Sequence, residues 1–151
     1  MFFSGAIPPQ TYPHSMGSMQ DVSGRGTMYL THRNRTGWVL RNHWEPKDVR
    51  VPLNRGASNS VFCFVPYGQS GGYGGRYVSA VLFGCIPVFF EHSDTCARTW
   101  PLAGLPDFDL QSCSLKTTPA GILTLHERLA AIPPQDIRRM QVSGGRGWGL
   151  D

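Results

Sequence analysis

The sequence predicts an α/β fold, a parallel sheet with crossover helices. Three observations carry this. Residues Ser60 to Phe90, SVFCFVPYGQSGGYGGRYVSAVLFGCIPVFF, read as strand, glycine-rich loop, helix, glycine stop and strand. Further on, Ile122, Leu125, Leu129 and Ile132 recur at helical spacing and give one apolar face. Finally, 151 residues with 40% hydrophobic content suffice for one domain with a real core.

Phe2 to Ala6 is a short strand. Ile7 to Gly26, rich in Pro, Ser, Gly and Met, is loop with room for one helical turn. Thr27 to Leu40 holds a helix around Met28 to His32 and a strand at Trp38 to Leu40. Asn42 to Asn59 is polar and irregular, with Pro46 and Pro52 as breakers. Val61 to Val65 is a strand of β-branched and aromatic residues bounded by Pro66 and Gly68. Gly68, Gly71, Gly72, Gly74 and Gly75 follow in a loop whose backbone can approach a ligand closely. Tyr77 to Phe83 is a short buried helix, Gly84 suits the left-handed position past its end, and Cys85 to Phe90 is the next strand. Ser93 to Thr118 is loop with a short strand at Phe108 to Leu110. Thr118-Pro119 is a helix start, a capping hydroxyl followed by Pro at the first helical position. Pro133-Pro134 ends that helix, and Gln135 to Gln141 forms another. The end, SGGRGWGLD, has no core potential, and residues 142–151 are expected to be a disordered tail.

Gly 18 and Pro 12 make up about a fifth of the chain. That lies below the roughly 25–30% at which disorder becomes the default. The net charge of +4 suits anionic ligands such as nucleotide diphosphates. It would equally suit nucleic acid, but the one Arg-Gly segment, Gly144 to Trp148, is a single copy, and no nucleic-acid partner is expected. No apolar run reaches the roughly 18 residues of a membrane span, and Met1-Phe2-Phe3 leads straight into a core strand without a signal peptide.

A strand, glycine loop, helix and strand is how α/β proteins set backbone donors against a phosphate. Arg76 stands where that helix begins, and a guanidinium suits bidentate phosphate contact. A cation gains nothing from the helix dipole there, so its placement asks for a partner. The histidines His14, His32, His43, His92 and His126 have no zinc-motif spacing, and no metal or cofactor is expected. Asp107-Phe108-Asp109 matches a metal-binding Asp-x-Asp by letter but reads as chance acidic residues in a loop. Cys63 and Cys85 fall in core strands and read as buried small hydrophobes. Asn34-Arg35-Thr36 is an N-glycosylation sequon in a loop-like stretch.

The combination Phe62-Cys63-Phe64-Val65-Pro66, Tyr67-Gly68, Arg76, Ala80 and Gly84-Cys85-Ile86-Pro87-Val88 resembles the C-terminal signature of the exostosin-like glycosyltransferases. Phe2 to Ala6, Thr36-Gly37-Trp38, Leu125 to Leu129, Ile132 to Pro134 and Met140-Gln141 are similar to other parts of that family. The resemblance covers about residues 1 to 141. It implies a Rossmann-like, nucleotide-sugar-binding half of a GT-B-type enzyme, truncated on its N-terminal side. The implied reaction transfers a sugar from a UDP-sugar to a glycan acceptor, with inversion, in the Golgi. The implied donor-binding residues are Tyr67, Gly68, Arg76, Ser79 and Glu91; the catalytic residue is unknown. Membrane attachment is expected only through an N-terminal anchor outside these residues. In an oxidising lumen, the loop cysteines Cys96 and Cys113 are candidates for a disulfide.

The chain departs from the pattern where the donor would sit. Ser79 stands where the family has a Glu for the ribose hydroxyls, and a hydroxyl cannot bridge two of them as a carboxylate does. After Val88 the family's Asp gives way to Glu91-His92-Ser93-Asp94, and its Pro-Phe pair is lost around Ala97-Arg98. Hence a second expectation: a non-catalytic donor-domain remnant that binds a nucleotide weakly or acts through interactions. Either way, the chain alone is expected to transfer no sugar.

Overall fold

The computed structural model describes residues 1–5, 7, 24–42, 52–66, 73, 75–91 and 109–146. Five strands, β1 (Phe2–Gly5), β2 (Val39–Asn42), β3 (Phe62–Val65), β4 (Ile86–Phe90) and β5 (Leu115–Thr117), form one sheet. Their order is β2-β1-β3-β4-β5 and every pair is parallel. The helices are α1 (Arg25–His32), α2 (Leu53–Ser58), α3 (Arg76–Leu82), α4 (Pro119–Leu123), α5 (Leu125–Ala130) and α6 (Pro134–Arg146). The α/β class with a parallel sheet is as expected. Among the described residues no helix is long and apolar enough to cross a membrane.

Both faces of the sheet are covered. One buries Phe3, Phe64, Val88 and Phe90 against Met28 of α1, Ile122 of α4 and Leu125 of α5. The other buries Phe2, Cys63 and Cys85 against Ala57 of α2 and Ala80 of α3, with Val65 and Phe89 against Val81 and Cys113. Burial on two sides is why the strands read as unbroken apolar runs without alternation. Pro87 sits inside β4 without breaking the ladder. The Ile86 N–H donates to Val61 on the β3 side, so the Pro87 nitrogen faces β5, whose pairing begins only at Val88.

Several expected boundaries move. β2 begins one residue later and runs to Asn42, and α1 starts at Arg25, inside the expected loop. α2 stands where an irregular stretch was expected: Gly56 lets it lie directly on the Phe2 ring, an approach that needs a missing Cβ. No strand forms at Asp109-Leu110, where a turn closes instead, with the Gln111 N–H donating to Asp109 Oδ1 at 3.0 Å. The edge strand is β5, five residues on. The helix expected from Thr118 breaks at Thr124 into α4 and α5, yet Ile122, Leu125 and Leu129 stay buried on one face. Thr118 caps as expected, its hydroxyl accepting from Gly121 N–H at 3.1 Å.

Two corrections are chemical. Cys63 and Cys85 form a disulfide, Cα to Cα 5.8 Å, and are not separate buried thiols. The register puts Cys63 opposite Pro87, which brings Cys85, two residues before, within bridging range. The tail expected over 142–151 is helical as far as Arg146. Gly144 allows this, because a Cβ there would lie 3.2 Å from Val81 Cγ1, so α6 packs closely against α3.

Candidate anion-binding site

The strand order decides where a ligand can sit. The chain steps from β1 outward to β2, then returns to β3 on the other side of β1 and continues outward. In such a sheet the crossover helices leave the carboxyl ends of β1 and β3 toward opposite faces. The position between those ends is the usual ligand position of doubly wound sheets.

Two arginines converge there. Arg25 is the first residue of α1, and Arg76 the first residue of α3, on the opposite face. Neither first turn carries an acidic residue. The Arg76 guanidinium lies against β1: its Cζ is 5.9 Å from the Phe3 ring centre, and a Cβ on Gly5 would lie 3.3 Å from its Nη2. Gly5 is thus required where β1 ends, because a side chain would strike the Phe3 ring at 2.6 Å and crowd Arg76. Arg25 is 8% exposed. Burial first, and the Arg76 charge second, pull its pKa down to about 10. Burial lowers Arg76 as well. Two desolvated guanidiniums at this position are a candidate contact for an anion.

The surrounding backbone is anchored. Gly24, which precedes α1, has φ +66°, and a Cβ there would meet the Phe90 ring at 2.5 Å, so Arg25 is presented by a turn only glycine can make. Asn42 at the end of β2 grips Ile7 beyond β1: its Oδ1 accepts from the Ile7 N–H at 2.9 Å and its Nδ2 donates to the Ile7 carbonyl at 2.7 Å. Tyr73 is tied to β4. Its ring packs edge-on to Phe89 at 4.8 Å, and its hydroxyl donates to the Phe90 carbonyl at 3.2 Å.

The expected donor residues divide. Arg76 stands at the carboxyl end of β1, against Phe3 and Gly5. Ser79 is one turn along α3, and its hydroxyl donates back to the Gly75 carbonyl at 3.4 Å. Glu91 lies just past β4 in a close ion pair with Lys116 of β5. Tyr67 and Gly68 lie outside the described residues, as do Cys96, His14, His43 and His92. Cys113, the expected partner of Cys96, is a free buried thiol pushed up to about 11 by burial and by Asp109. Asn34 is exposed in the turn after α1. Among the described residues no group of three His, Cys, Asp or Glu could hold a metal.

Sequence reasoning missed Arg25. The residue fell within a stretch read as loop, and only the sheet order brings it beside Arg76. A larger cavity, about 350 Å³, opens at the other end of the sheet between Trp38, Asn59, Phe62 and His126. The charged residues do not gather there. Beside it His32 is fully buried, its Nε2–H donating to the Ile122 carbonyl at 2.7 Å and its ring stacked on Trp38 at 4.2 Å. Compared with known proteins, the chain matches no family model and no curated protein.

Proposed function

We propose that this chain binds the diphosphate of a nucleotide sugar between Arg25 and Arg76. The carrying observation is the pair of desolvated guanidiniums brought from opposite faces to the point where the strand order reverses. A diphosphate offers each guanidinium its own oxygens and offsets the repulsion between them. The resemblance to exostosin-like glycosyltransferases supplies the rest of the reading. The chain is the donor half of a GT-B-type enzyme of Golgi glycan biosynthesis, a UDP-sugar is the donor and a glycan is the acceptor. That resemblance assigns the acceptor and the general base to another domain.

A second reading, nucleotide binding without transfer, has its own support. Ser79 turns its hydroxyl to its own helix, and Glu91 is committed to Lys116, so neither offers a free carboxylate to a ribose. Calorimetric titration with UDP tests both. A charge-assisted hydrogen bond is worth about 1.5–3 kcal/mol, so Arg25→Ala and Arg76→Ala should each weaken UDP roughly ten- to hundred-fold. Uridine, lacking phosphate, should bind no better to the wild type than to either variant. Equal UDP affinity in all three proteins would end the diphosphate reading. Tight binding of UDP without turnover in the full enzyme would favour the second.

A further inference from the structure

We infer that Asn34 is an N-glycosylation site and that the chain folds in the secretory pathway. Two unrelated observations converge. The sequon Asn34-Arg35-Thr36 lies wholly in an exposed turn, with Arg33 to Gly37 all exposed. The turn is shaped by its own backbone, Arg35 N–H donating to the His32 carbonyl at 3.0 Å and Trp38 N–H to the Arg35 carbonyl at 3.1 Å. Among the described residues, a glycan on the Asn34 amide therefore meets no packed surface. Independently, the Cys63–Cys85 disulfide needs an oxidising compartment, and that compartment is where sequons are used.

The position suits a modified enzyme. β2 begins at Val39 and pairs with the start of β1, so the turn lies at the amino edge of the parallel sheet. Arg25 and Arg76 lie at the carboxyl edge, so a glycan on Asn34 lies away from them. The co-reactant is a lipid diphosphate-linked oligosaccharide, and the catalyst is the host's oligosaccharyl transferase. The Asn34 Nδ2 attacks the anomeric carbon. A C–N bond forms, the C–O bond to the diphosphate breaks, the lipid diphosphate leaves, and the amide proton passes to the transferase.

The test is expression of the 151-residue chain behind a cleavable signal peptide in a eukaryotic secretory host. Glycosylation accompanies translocation, so secreted and cell-retained protein are both read, and a variant that misfolds still reports. The sequence has one sequon. The expected result is a single mobility shift removed by an amide-cleaving endoglycosidase, lost in Asn34→Gln and Thr36→Ala and kept in Thr36→Ser. No endoglycosidase-sensitive form in either pool, or one that persists in Asn34→Gln, would overturn the inference. UDP binding is not read in this experiment, so its outcome is separate from that of the diphosphate site.

Discussion

Replacing Cys63 and Cys85 together by alanine should destabilise the fold by about 3–4 kcal/mol. The bond joins residues 22 positions apart, closing a ring that holds the glycine loop, Arg76 and α3. Chain-entropy reasoning removes about 11 cal/mol/K from the unfolded state for a ring of that size, or about 3 kcal/mol at 25 °C. Loss of two sulfur atoms packed beside Phe2, Ala57 and Ala80 adds a smaller packing cost, on the order of 1 kcal/mol. At roughly 2–4 °C per kcal/mol for a chain of this length, the melting temperature should fall by about 6–16 °C. The assay is thermal unfolding by circular dichroism of three samples: oxidised wild type, wild type under reductant, and the double variant. Reduced wild type should melt between the other two, because it loses the ring but keeps its sulfur atoms. A double variant melting within about 1 °C of oxidised wild type would refute the reasoning.

Leu125 is 1% exposed at the centre of the larger core, so Leu125→Ala should cost about 2–5 kcal/mol by urea denaturation; a cost below about 0.5 kcal/mol would mean that α5 is not packed on the sheet. Burial lowers the His32 pKa below 6.5, with Arg35 and His126 acting in the same direction and the bond to Ile122 opposing them. The folded chain thus binds fewer protons at this site than the unfolded chain. Its stability is full above about pH 6.5 and falls as the pH drops from there toward the folded pKa, by at most about 1.4 kcal/mol per pH unit. Urea midpoints at pH 7.5 and 5.5 check this, and His32→Phe should flatten the difference.

The sheet's central strands were legible because a parallel sheet buries both faces and writes them as apolar runs. Phe62 to Val65 and Ile86 to Phe90 sit within a residue of where the sequence puts them. The helix between them was marked by glycines, and Gly84 takes φ +73° as its position demanded. Shorter elements escaped. β5 has three residues with one large apolar side chain, too few to show a period. α2, LNRGAS, has six residues and a glycine that ordinary propensity counts against a helix; Phe2 beneath it is the compensation. α6 runs through Gly144 for the same kind of reason, contact with a distant element outweighing local preference. In the site, Arg76 was readable from its place after a glycine loop. Arg25 was not, because its significance lies in strand order, and strand order is a property of pairing partners far apart in the chain.

That strand order has a mechanical consequence. α1 and α3 belong to different layers, and between them runs the sheet, so neither helix steadies the other directly. A dianion gripped by Arg25 and Arg76 would act as a rivet through the edge of the sheet, fastening one layer to the other. Its stabilisation would grow with ligand concentration as RT ln(1 + [L]/Kd) and would be felt on both sides at once. Amide exchange should then slow together in α1 and α3 when the ligand binds, although the sheet runs between the two helices.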